Sequence, residues 1–133
     1  MNKILFVCKH NVFRSRVAEA FFNKFNKNKN YVASSAGLLP GKSSNEPQVN
    51  VANKFGININ GTPQAITIPL LEQTNLMVIV ADNVPSEIFN NVKYERQEIV
   101  WRIVDDNGSG PEETYEIIKK IGDKVKKFVE ELK

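Results

Sequence analysis

The chain has 133 residues, the length of one ordinary domain and enough to bury a real core. With 41% apolar and 25% charged residues it has the composition of a soluble globular protein rather than a disordered one, and a single cysteine excludes an internal disulfide framework. The net charge of +3 hides an asymmetry: residues 1–45 carry Lys3, Lys9, Arg14, Arg16, Lys24, Lys27, Lys29 and Lys42 against Glu19 alone, so an anionic partner or a solvated lysine surface is expected there.

Residues 2–8 are apolar and extended, the pattern of a strand buried on both faces. The run Ile4-Leu5-Phe6-Val7 is too short for a signal-peptide core or a membrane span, so a cytoplasmic protein with no membrane partner is expected. From Arg14 the apolar residues Val17, Ala18, Phe21, Phe22 and Phe25 fall on one helical stripe, which ends in the surface turn 26–30. Residues 31–37 read as a second strand and the segment that follows as a loop punctuated by Gly37, Pro40 and Gly41. Asn45 caps a helix over about 46–55, closed by Gly56. Residues 76–82 form the clearest central strand, and another lies within 97–106 before the break at Asn107-Gly108-Ser109-Gly110. Pro111 suits a first helical turn, after which Ile118, Ile121, Val125, Phe128 and Leu132 line one face of a last helix. Strands alternating with helices imply one α/β domain over residues 1–133, a three-layer sandwich around a parallel sheet of about four strands.

In such sheets ligands bind beyond the carboxyl ends of the strands, at the first loop into a helix. Cys8 stands there, in the stretch Phe6-Val7-Cys8-Lys9-His10-Asn11-Val12-Phe13-Arg14-Ser15-Arg16. A loop of this kind gathers backbone N–H groups at the positive end of a helix, and Arg14 adds a guanidinium matched to a tetrahedral oxyanion. The same field favours a nucleophilic thiolate at Cys8, with Ser15 as a hydroxyl donor to the sulfur. Taken alone, a cysteine ending a buried strand is a small core hydrophobe, and it is Arg14 that favours the chemical reading. Near the other end of the chain, Asp105 and Asp106 sit in a polar turn, and like charges so close are expected to keep one of the pair protonated.

Cysteine, five residues, arginine and then serine is the signature of the cysteine phosphatases, here Cys8 to Ser15, placed at the first strand–helix junction. The chain resembles the low-molecular-weight protein tyrosine phosphatase family, which includes thiol-linked arsenate reductases. The likeness extends through Ser34-Ser35-Ala36-Gly37, similar to the family's Ser-Ala-Gly segment, and through residues 101–117, similar to its late Asp-Pro segment and final helix. The resemblance implies Cys8 as nucleophile and a phosphate-binding loop of Lys9, His10, Asn11, Val12, Phe13, Arg14 and Ser15. It implies Asp105 as the acid that protonates the leaving group, or Asp106 if the register shifts by one. It implies no cofactor. His10 replaces the family's loop glycine, and Asp106 stands where its proline would be. Phe13 stands where many relatives carry a second cysteine, so oxidised Cys8 has no internal resolving thiol. Asn107 replaces an aromatic residue that would sandwich a phenyl ring, and Phe13 with Leu38 or Leu39 is expected to supply a replacement wall.

Three functions follow from these residues. The first is a phosphatase acting on phosphate monoesters, protein phosphotyrosine among them, through a phospho-cysteine. The second is an arsenate reductase drawing on an external small thiol, since Asp82 and no cysteine stands where a two-cysteine relay would lie. The third is a non-catalytic oxyanion binder. No metal is expected, because one cysteine and one histidine cannot form a zinc site. No nucleic-acid partner is expected either, since neither an aromatic-basic RNA motif nor a helix-turn-helix pattern stands out.

Overall fold

The computed structural model describes residues 2–89 and 96–132. The first strand, β1 (Asn2–Cys8), leads into helix α1 (Arg14–Phe25), and strand β2 (Tyr31–Gly37) into α2 (Glu46–Asn53). A short α3 (Ile68–Gln73) precedes β3 (Leu76–Val80), then a single 3₁₀ turn (Ser86–Phe89), β4 (Gln97–Trp101) and the long α4 (Pro111–Glu131). The strands pair in the order β2-β1-β3-β4, and all three pairings are parallel. This is the α/β sandwich that the alternating pattern predicts. No helix among the described residues is long and apolar enough to cross a membrane.

The period of two along β1 divides the core. Ile4 and Phe6 face a cluster built with Phe22 of α1 and Ile118, Ile121, Val125 and Phe128 of α4. Leu5 and Val7 face the opposite side, where Met77, Ile79, Val84 and Phe89 join them and Leu70 and Leu71 of α3 lean in. Burial on both faces is why β1 reads as a continuous apolar run. The rings of Phe6, Phe22 and Phe128 meet at centroid separations of 5.9–6.4 Å and fix α1 and α4 over the sheet. Asn45 caps α2 as expected, accepting the Gln48 N–H at 3.1 Å.

The sequence reading left α3 and the 3₁₀ turn out. Helix α3 has six residues and buries none of them fully, so it lacks an apolar stripe to betray it. Its signature is local instead: Thr67 accepts the Leu70 N–H at 3.2 Å and Pro69 occupies the first turn.

Along the parallel pair β1 and β2, Cys8 lies opposite Gly37, and the two chains then run on side by side. A Cβ at Gly37 would sit 2.7 Å from the amide nitrogen of Asn11 and 2.7 Å from the carbonyl carbon of His10. Both are backbone atoms, so they cannot swing aside. Gly37→Ala is therefore expected to destabilise the protein by about 1–3 kcal/mol, as overpacking does. Urea unfolding checks this, and an unchanged midpoint would mean that the two segments part freely.

Candidate active site

The loop after β1 is shaped by where its carbonyls go. The Cys8, Lys9 and His10 carbonyls accept the N–H groups of Leu38 at 3.1 Å, Leu39 at 2.7 Å and Gly41 at 2.9 Å. No peptide bond among the described residues is cis, and in a trans peptide the C=O and the next N–H point in opposite directions. With three carbonyls turned out toward residues 38–41, the N–H groups of Lys9, His10 and Asn11 turn inward. The Asn11 N–H donates to the Cys8 sulfur at 3.3 Å. Asn11 makes this turn with φ at 55°, a left-handed conformation that asparagine tolerates better than most residues.

A network of side chains then orders the donors around that sulfur. Asn11 Oδ1 accepts the Gln64 N–H at 2.9 Å, which turns Nδ2 toward Ser15 Oγ at 2.8 Å and Ser35 Oγ at 3.0 Å. Ser35 passes its own hydrogen to Glu19 Oε1 at 2.6 Å. Ser15 already accepts from Asn11, so its hydrogen is left for Cys8 Sγ, 3.0 Å away. Two donors thus converge on a buried sulfur. Asn11 and Ser15 are among the residues expected from the sequence. Ser35, Gln64 and Glu19 are not, and they reach the site from three separate segments.

Arg14 opens α1 and is 1% exposed. Its Nη1 donates to the Ile103 carbonyl at 2.8 Å and to Asp82 at 3.5 Å, and its Nη2 donates to Asn83 Oδ1 at 3.0 Å. The same Nη2 lies 3.4 Å from Asp105 Oδ2. Asp82 and Asn83 come just after β3, beyond Ala81, and Ile103 just after β4, so the carboxyl ends of two strands hold the guanidinium. As partners, Asp82 and Asn83 were missed in the sequence. Their one signal is position, at the end of the strand beside β1.

Cys8, His10, Val12, Phe13, Arg14, Asp105 and Asp106 all line one cavity of about 310 Å³. Lys9 contributes the backbone carbonyl already described. His10 is exposed, and its Nδ1 lies 2.8 Å from the Leu39 carbonyl, so that nitrogen carries the hydrogen. The expected apolar wall is only partly there. Phe13 faces the cavity but is 4% exposed and packed in the core, while Leu38 and Leu39 do not line the cavity and Leu39 points to solvent. Their backbone is committed to the loop carbonyls, which turns the side chains away.

The two aspartates are held differently. Asp105 is exposed; its Oδ1 accepts the Asp106 N–H at 2.9 Å and its Oδ2 faces Arg14. Asp106 accepts from Thr114 Oγ1 at 2.6 Å, from Gln48 Nε2 at 3.1 Å and from the Gly108 N–H at 3.1 Å. Burial pushes the Asp106 carboxyl up, but the bonds from Thr114, Gln48 and Gly108 outweigh it and hold the group below its ordinary value. Of the pair, Asp106 is therefore held toward its charged form by the donors around it.

The sequence matches the family described as low molecular weight phosphotyrosine protein phosphatase over residues 3–133. Among curated proteins no sequence matches the chain. Solved structures share its fold at low identity. The low molecular weight protein tyrosine phosphatase from T. tengcongensis has a TM-score of 0.84 at 23% identity, with 99% of this chain and 100% of that chain covered. The YwlE arginine phosphatase from Geobacillus stearothermophilus reaches 0.85 at 16%, covering 98% and 92%. An arsenate reductase from Archaeoglobus fulgidus reaches 0.76 at 24%, covering 96% and 99%. The family match spans the loop at Cys8, the segment at Gly37 and the turn at Asp105, and on that match the chain belongs to the low molecular weight phosphotyrosine protein phosphatase family.

Proposed function

We propose that the protein is a cysteine-dependent phosphatase that hydrolyses phosphate monoesters through a phospho-cysteine. The observation that carries this reading is that Asp105, with Oδ2 3.4 Å from Arg14 Nη2, lines the same cavity as the Cys8 sulfur. A site for binding alone has no use for a nucleophile and a proton donor around one oxyanion cradle.

In this reading the inward N–H groups and Arg14 hold the phosphoryl oxygens and neutralise their charge. The Cys8 thiolate attacks phosphorus in line, the S–P bond forms and the ester P–O bond breaks. Asp105 gives its proton to the departing oxygen and becomes a carboxylate. It then takes a proton from water as that water attacks phosphorus, the P–S bond breaks, and inorganic phosphate leaves. Ser15 stabilises the departing thiolate through its O–H. Two neighbours lend support: Vibrio vulnificus Wzb is known in complex with benzylphosphonate, and a mutant of the YwlE arginine phosphatase carries a phosphorylated active-site serine.

Arsenate reduction through an external thiol is the second reading. Arsenate has the shape and charge of phosphate, and one neighbour is an arsenate reductase in a phosphate-binding state. Asp82, in the segment where a two-cysteine relay would lie, is instead a partner of Arg14, so the electrons would have to come from outside the chain. Asp105 favours hydrolysis, because a leaving alcohol needs a proton.

The two readings separate in one comparison of aryl phosphate hydrolysis with thiol-dependent arsenate reduction on a single preparation. Hydrolysis is expected to dominate; arsenate reduction without hydrolysis would replace the first reading by the second. Cys8→Ser is expected to abolish turnover while phosphate still binds, because Arg14 and the loop amides remain; turnover within about tenfold of wild type would remove Cys8 as nucleophile. Arg14→Lys is expected to weaken phosphate binding severely, since an ammonium cannot make the bidentate contact. Titration with inorganic phosphate measures it, and unchanged affinity would take Arg14 out of the cradle. Asp105→Asn is expected to slow esters of basic alcohols by about 100-fold or more and activated aryl phosphates by much less. Rates across a series of leaving groups test this, and a flat series would place the acid elsewhere.

A further inference from the structure

Residues 104–110 carry Asp105 and belong to no strand or helix. Most of their hydrogen bonds are local: the Ser109 N–H donates to Asn107 at 3.1 Å and the Asn107 N–H to Glu113 at 2.7 Å. Among the described residues, only two side chains of this segment bond to anything beyond the segment and α4. One is Asp105, on Arg14. The other is Asp106, whose carboxylate takes Gln48 from α2 and Thr114 from α4 at the same oxygen, with the Gly108 N–H on its second oxygen. Its backbone N–H in turn holds Asp105 Oδ1, which leaves Asp105 Oδ2 toward Arg14.

Gln48 shows that this bridge prevails over local preference. It is 91% buried by its 9% exposure, and its Oε1 has no hydrogen-bond partner among the described residues. Leaving a buried acceptor unpaired is destabilising. Turning the amide over would face its oxygen with the Asp106 carboxylate, so the side chain keeps the bond to Asp106 and leaves the oxygen orphaned. Gln48 and Asp106 also both line the cavity at Cys8 and the neighbouring groove of about 480 Å³ between α2 and the start of α4. The bridge is therefore part of the wall behind the acid. The restraint on this segment comes from the Asp106 side chain.

Resting on the phosphatase reading, we propose that Asp106 is a positioning residue that joins α2 to α4 and thereby holds Asp105 over the cavity of Cys8. It acts through Asp105 and gives up no proton of its own. The three donors that keep its carboxyl ionised suit a fixed acceptor and ill suit an acid.

The test compares an alkyl phosphate with p-nitrophenyl phosphate, whose phenoxide departs without help. Asp106→Ala is expected to lower kcat for the alkyl ester by about 10- to 100-fold, the scale of a misplaced catalytic group, and for the activated ester by less than about threefold. Inhibition by inorganic phosphate is expected to stay the same. Gln48→Leu, which keeps the Thr114 contact, is expected to follow in the same direction by a smaller factor, and it stands in if Asp106→Ala does not fold. Asp106→Asn retains an acceptor oxygen and is expected to recover most of the loss. Equal losses on both esters, or none on either, with an active wild type would overturn the positioning role alone. A wild type that hydrolyses neither ester would overturn the phosphatase reading, and the positioning role with it.

Discussion

Three carbonyls turned away from Cys8 are the constraint on which the rest of the site depends. They turn because β1 and β2 are parallel and in register to their last residues, so the two chains leave the sheet together. Residues 38–41 then offer N–H groups to the carbonyls of Cys8, Lys9 and His10. Outward carbonyls force inward amides, and the return from that arrangement demands the left-handed turn at Asn11. The glycine at position 37 lets the backbones touch. A parallel sheet thus produces an anion nest from ordinary strand geometry, with no charged side chain needed to shape it.

Arg14 links this nest to the other half of the sheet. A buried guanidinium without partners is destabilising by several kcal/mol, so its acceptors must be built in. The close ones are uncharged, the Ile103 carbonyl at 2.8 Å and Asn83 Oδ1 at 3.0 Å. The two carboxylates stand farther off, Asp105 at 3.4 Å and Asp82 at 3.5 Å. Geometry is therefore set mainly by neutral dipoles, while the positive charge is only loosely matched. That division suits a residue that must stay rigid and still have attraction to spare for an incoming anion.

What could be read from the sequence was whatever burial or local chemistry writes into neighbouring residues. The bounds of β1 and β2 follow from an apolar run and its turn residues, and Asn45 announces its helix as a residue able to cap the amide three positions on, that of Gln48. The loop from Cys8 to Ser15 is legible for the same reason: its nucleophile, its cation and its hydroxyl lie within one stretch. The partners of Arg14 are not, because Asp82 and Asn83 lie 68 and 69 positions away and look like any polar turn after a strand. Glu19 and Gln64 are hidden in the same way. The aspartate pair is legible only as two neighbouring carboxyls, because the three donors around Asp106 come from residues 48, 108 and 114 and cannot be read from the turn itself.

His10 illustrates how a departure from the family's loop glycine is absorbed. Asn11 is the one residue other than glycine with positive φ among those described, so position 10 itself does not need a glycine's freedom. The His10 side chain leaves the nest and bonds outward to the Leu39 carbonyl, in the same segment that receives the backbone carbonyls of the loop. A Cβ at Gly41 would lie 2.7 Å from Val12 Cγ2, so a bare backbone at position 41 leaves space for the Val12 side chain. The imidazole then adds a side-chain pin to the three backbone ones, which tightens the reversal that aims the amides at the sulfur.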